Sequence, residues 1–156
     1  MGAFNIAQEG HLVNVLAPVD LTAGGTGDAF SMENWSHASI IISLGATHST
    51  GSAITVYECA DNAATADVAI AFKYAAEITA SGDVLEVLTQ ATSSGFTTTI
   101  NDGCLYTIEL DAADLSAGYP YVVVKYGATG GGATFGSIVA VLSGGRYASG
   151  ISPTVL

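Results

Sequence analysis

Apolar residues along this chain recur in short runs that mostly alternate with period two. Val68, Ile70, Phe72 and Tyr74 share one side of a run whose other side carries Asp67, Ala69, Ala71 and Lys73. Tyr106, Ile108 and Leu110 alternate with Leu105, Thr107 and Glu109, and Val122, Val124 and Tyr126 alternate with Tyr121, Val123 and Lys125. Period two sends successive side chains to opposite faces of a strand, so one row of each run enters a core. On this basis strands are predicted near 11–17, 37–45, 52–60, 67–75, 83–90, 104–110, 120–126 and 135–143. The breaks between them are Gly24-Gly25-Thr26-Gly27, Asp61-Asn62, Ser81-Gly82-Asp83, Asn101-Asp102-Gly103 and Gly130-Gly131-Gly132, residues that supply positive φ or side-chain-capped turns. About eight strands at this spacing predict an all-β chain folded as a two-sheet, jelly-roll-like β-sandwich. One short helix is expected at Ala112-Ala113-Asp114-Leu115, with Asp111 as N-cap and Gly118 closing it. It would lie at a corner between sheets that Tyr119 or Tyr121 could anchor. The expected core is Ile40, Ile42, Ile54, Val56, Ile70, Phe72, Ile108, Val122, Val124 and Ile138.

The predicted outer rows are short of charge. Ala69, Ala71, Leu105 and Val123 stand where charged side chains are expected, which suits a face covered by another chain, or by a second sheet or loop of this one. Composition sharpens the point: 49% of the 156 residues are hydrophobic and 11% charged, against about a quarter charged in an ordinary globular domain. The length fits one domain over 1–156, with an N-terminal arm (about 1–10) and a C-terminal tail (about 147–156) expected to dock on neighbours. Fourteen acids stand against Lys73, Lys125 and Arg146, for a net charge of −11. That balance repels phosphate backbones and anionic lipid, so neither nucleic acid nor membrane is an expected partner. The longest apolar stretches suit buried strands, and the opening Met1-Gly2-Ala3-Phe4-Asn5-Ile6 lacks the basic and apolar regions of a secretory signal. Synthesis in the cytoplasm is therefore expected, with Cys59 and Cys104 as two buried thiols in preference to a disulfide.

Each candidate for chemistry meets a simpler reading. Gly127-Ala128-Thr129-Gly130-Gly131-Gly132 has no Lys-Ser/Thr after it and joins two predicted strands, so a hairpin loop is expected in place of a phosphate cradle. His11, His37 and His48 form no HxH or HxxxH pair, and with no CxxC the chain is expected to hold no metal and no cofactor. Glu58, Glu77, Glu86 and Glu109 could supply a glycosidase pair, but they are scattered. Asp61, Asp67, Asp102, Asp111 and Asp114 lack calcium-loop spacing. No GxSxG elbow occurs. The expectation is a chain with no catalytic residues.

Several phrases carry a resemblance. They are Asn34-Trp35-Ser36-His37-Ala38-Ser39-Ile40-Ile41-Ile42, Thr55-Val56-Tyr57-Glu58-Cys59, Ala69-Ile70-Ala71-Phe72, Ile108 to Leu115, Gly118-Tyr119-Pro120-Tyr121-Val122, and Ser137 to Tyr147. Over about residues 30–150 the chain resembles small proteins encoded with the head genes of tailed bacteriophages, the group that includes capsid decoration (cement) proteins. The resemblance implies a structural virion protein on the outside of a phage head, made in the host cytoplasm, with the major capsid protein or other virion proteins as partners. It transfers no functional residue. Homo-oligomerisation is expected, through weakly charged apolar and aromatic anchors: Trp35 (unless it is core), Tyr119, Tyr121, Tyr147, Ile151, Val155 and Leu156. The rival expectation is a receptor- or carbohydrate-binding module of a phage tail or fibre.

Overall fold

The structure, a computed structural model, describes residues 5–45, 50–78 and 84–146. Its strands are β1 (His11–Asp20), β2 (Gly25–Thr26), β3 (Phe30–Ser31), β4 (Trp35–Leu44), β5 (Ala53–Cys59), β6 (Asp67–Ile70), β7 (Phe72–Glu77), β8 (Thr89–Ala91), β9 (Phe96–Thr97), β10 (Leu105–Asp111), β11 (Tyr121–Tyr126) and β12 (Phe135–Gly145). They form two antiparallel sheets packed face to face. The first runs β1-β12-β4-β10-β7-β8, and the second runs β2-β11-β5-β6, with β3 also on β11 and β9 on β5. The predicted all-β, two-sheet sandwich is what the chain forms.

The core lies where alternation places it. Ile40 pairs in register with Ala140 on one side and Ile108 on the other, and all three are fully buried. From the second sheet Ile54, Val56, Val122 and Val124 close the same core. Each such aliphatic side chain contributes about 1.5–3 kcal/mol on burial. At one end the filling is aromatic: the Tyr74 and Phe96 rings stack with centroids 3.9 Å apart, and Phe72 and Tyr106 pack against Phe96. Burial pushes the Tyr106 phenol up to about 12, and its oxygen accepts a hydrogen bond from Thr99 N. Cys59 and Cys104 are free, buried thiols.

Four expectations need correction. The run 67–75 is two strands in different sheets, since β6 pairs with β5 and β7 with β10. The chain changes sheets at Ala71, which redefines its inward side, so Val68 is exposed and Ile70 is only half-buried against the core. The run 83–90 is a strand only from Thr89, where it pairs with β7. Its apolar residues come as adjacent pairs, Val84-Leu85 and Val87-Leu88, which a strand with one buried face cannot bury together. Finally, the loop at Gly127–Gly132 is no hairpin, because β11 lies in the second sheet and β12 in the first.

Among the described residues helix is confined to single turns. Ile6–Glu9 forms one α-turn beside β1 and β12, with Asn5 Oδ1 accepting from Ala7 N. The helix expected after β10 is a 3-10 turn, Ala112–Asp114, in which Asp111 N donates to Asp114 Oδ2. Among the described residues no helix is long and apolar enough to cross a membrane.

Candidate functional site

The densest polar cluster sits on the outer face of the first sheet. The β4–β10 register sets His37 opposite Asp111 and Ser39 opposite Glu109. His37 Nδ1 lies 2.7 Å from Asp111 Oδ1, and His37 Nε2 lies 2.7 Å from Glu109 Oε2. Ser39 Oγ donates to the same Glu109 oxygen at 2.7 Å. Both ring nitrogens therefore donate to carboxylates, which requires the imidazolium form. Partial burial opposes that charge, but the hydrogen bonds to Asp111 and Glu109 outweigh it and raise the His37 pKa above its usual value.

Serine, histidine and aspartate here have the outline of a hydrolase triad, and the detail differs. Ser39 Oγ is 3.4 Å from His37 Nε2, but Glu109 takes both the Nε2 proton and the serine proton. A general base needs a free lone pair facing its serine. In this arrangement the cluster ties β4 to β10, one imidazolium shared by two carboxylates.

The remaining acids have local partners or point elsewhere. Glu58, on the inward row of β5 after Ile54 and Val56, is 3% exposed. It accepts a 2.7 Å hydrogen bond from Ser116 N and so pins the corner after the 3-10 turn. The first sheet stands between Glu58 and Glu109, so the two form no carboxylate pair. Asp61 caps its own turn through Ala63 N and Thr65 Oγ1. Asp67 pairs with Lys125, whose Nζ also lies 4.0 Å from the centroid of the Tyr57 ring. Among the described residues no three His, Cys, Asp or Glu side chains gather to hold a metal.

The expected aromatic anchors are dispersed. Trp35 is buried core, with its outer side stacked on His11 at 5.9 Å between centroids. Trp35 is buried at the start of β4 although it is out of step with the inward row Ala38, Ile40, Ile42 and Leu44. Tyr119 is half-buried and lines an open cleft of about 290 Å³ with Leu115, Pro120 and Arg146. Tyr121 is half-buried on β11, opposite Cys59 and Ser31. Tyr147, Ile151, Val155 and Leu156 lie outside the described residues, as does His48.

A different segment supplies the largest apolar exposure. Val84, Leu85, Val87 and Leu88 are 64%, 60%, 86% and 49% exposed and run into β8, the last strand of the first sheet. Glu86 N donates to Ala76 O at 2.8 Å, which holds this run along the sheet edge. The sequence reading predicts a strand near 83–90 for it and no docking surface. The signal that could have found it is its paired, non-alternating Val-Leu pattern. The outer face beside it is weakly charged away from the His37 cluster, with Leu12, Val141, Val139, Ile41, Thr107 and Ala75 adjacent in register.

Comparisons with known proteins add little to this geometry. No protein-family model matches the chain, and no curated protein matches it. One solved structure aligns, the crystal structure of SPBc2 prophage-derived protein YomS. It is 12% identical, with a TM-score of 0.48, and the alignment covers 87% of this chain and 94% of that one. No functional residue or role passes from it to this chain.

Proposed function

We propose that this chain is a non-enzymatic structural protein of a virion, a decoration subunit that docks on the outside of a phage head and stabilises it. The observation that carries the reading is the contiguous exposed run Val84-Leu85-Val87-Leu88 at the edge of the first sheet. A free-standing protein gains nothing from holding four large aliphatic side chains in water, and contiguous apolar exposure of this kind marks docking surfaces. The sandwich supplies a rigid support for that edge. The net charge of −11 keeps nucleic acid away from it. The partners under this reading are the major capsid protein or other virion proteins, together with further copies of the chain.

Adding purified protein to phage heads that lack it tests the reading by gradient co-sedimentation. Stoichiometric, saturable binding and greater heat resistance of the heads are the expected results. Protein that stays at the top of the gradient at every concentration overturns it. The second reading is a carbohydrate- or receptor-binding module, favoured by the cleft that Tyr119 and Arg146 line. Specific retention on a glycan array, lost in Tyr119→Ala, would select that reading over decoration.

A further inference from the structure

The free edge at β8 has the features of a self-pairing surface. In the first sheet β8 pairs with β7 on one side, and among the described residues no strand covers its other side. Natural sheets blunt such edges with lysine, proline or a bulge, because unpaired N–H and C=O groups recruit another strand. The stretch Val84-Leu85-Glu86-Val87-Leu88-Thr89-Gln90-Ala91 has none of these: it contains no lysine, proline or glycine and a single charge. β8 itself is short, three residues, but the exposed apolar stretch that leads into it lacks the other devices.

We propose that it is covered by the same edge of a second copy, the two β8 strands pairing antiparallel across a twofold axis so that the first sheets of both copies become continuous. This rests on the docking-surface part of the reading above and names the occupant. Charge and symmetry both favour a second copy. Over residues 72–77 and 84–91 the charges are Lys73, Glu77 and Glu86, a net of −1 against −11 for the whole chain. Two copies therefore meet here with little of the repulsion they would feel elsewhere. A twofold contact also places the same apolar patch on both sides, so each copy's Val-Leu pairs meet their own kind. The four side chains expose on the order of 400 Å² per copy, so pairing covers about 800 Å², below the roughly 1,200 Å² where stable interfaces begin. Edge hydrogen bonds supply part of the difference. The contact is consequently weak between free copies and strengthened when copies are held side by side on a surface.

Sedimentation velocity on the full chain, over a concentration series reaching about 1 mM, tests this, with a dimerisation constant expected on the order of 10–100 μM. Val87→Lys and Leu85→Lys, both at exposed positions, should each weaken dimerisation by at least about tenfold while far-ultraviolet spectra stay unchanged. Leu12→Lys, at an exposed position on β1 at the opposite edge of the same sheet, should leave it unaltered. A wild type that stays monomeric throughout overturns the proposal. So does a Val87→Lys variant that dimerises as well as the wild type, or a Leu12→Lys variant that weakens dimerisation equally. Dimers that fail to bind phage heads support edge pairing and remove the head-docking role. A monomer that still coats heads removes edge pairing and leaves that role standing.

Discussion

Replacing His37 by alanine should make the protein less stable by an amount that depends on pH. The substitution leaves Glu109 and Asp111 without the cation that both engage at 2.7 Å. A hydrogen bond to a charged group contributes about 1.5–3 kcal/mol when well buried. Here the side chains of His37, Glu109 and Asp111 are 32%, 31% and 65% exposed, so solvent screening brings each pair nearer the roughly 0.2–1 kcal/mol of a surface ion pair. Together they should contribute about 1–2 kcal/mol, a shift of about 2–6 °C in Tm for a domain of this size. The sign follows from the raised pKa of His37. A group bound more tightly as the cation stabilises fully below its unfolded value of about 6.5, and that stability is lost as pH rises through the higher folded value. Lys73 is the charged side chain in register with Glu109 from the neighbouring strand β7. Ser39 and Ser143, the other side chains in register around the cluster, do not titrate. His11 and His48 are common to both proteins and cancel in the difference. The assay is thermal unfolding of wild type and His37→Ala from about pH 5.5 to 9. The Tm gap should be widest at the acid end and narrow towards the alkaline end. A gap that is flat, or that widens with pH, refutes an imidazolium shared by two carboxylates.

Two further outcomes follow from local geometry. Glu58→Ala removes the acceptor for Ser116 N and should cost about 1–3 kcal/mol, with hydrogen exchange at 112–120 rising more than elsewhere; uniform exchange would contradict the pinning role. Gly95 has φ +75, and a Cβ there would lie 1.9 Å from Ile54 O, so Gly95→Ala should destabilise by more than the roughly 1 kcal/mol of an ordinary loop change, measured by urea unfolding.

Much of the sandwich is legible in the sequence because most of its rows alternate. Ile40, Ile42, Ile108 and Ile138 are buried where period two puts them, as are Val122 and Val124. Alternation fails where the chain changes sheets, as at Ala71, because the pattern carries no record of which sheet a strand joins. The His37 cluster was hidden for a related reason. His37 and Asp111 are 74 residues apart, and only the β4–β10 register brings them together. Glu58 was within reach, since counting by two from Ile54 and Val56 lands on it. The exposed edge was within reach as well: Val84-Leu85-Glu86-Val87-Leu88 does not alternate, and a run that cannot bury one face is a poor interior strand. The aromatics Tyr119, Tyr121 and Trp35 do not gather: Trp35 is buried in the core, out of step with the inward row of β4, while Tyr119 and Tyr121 are half-buried at separate places.

The central claim is that this chain works as a repeated subunit on a particle. Quantitative mass spectrometry of gradient-purified virions from the source culture tests it most directly. The account predicts many copies per particle, in a fixed ratio to the major shell protein and unchanged by further purification. A protein abundant in the lysate and absent from those virions would contradict it.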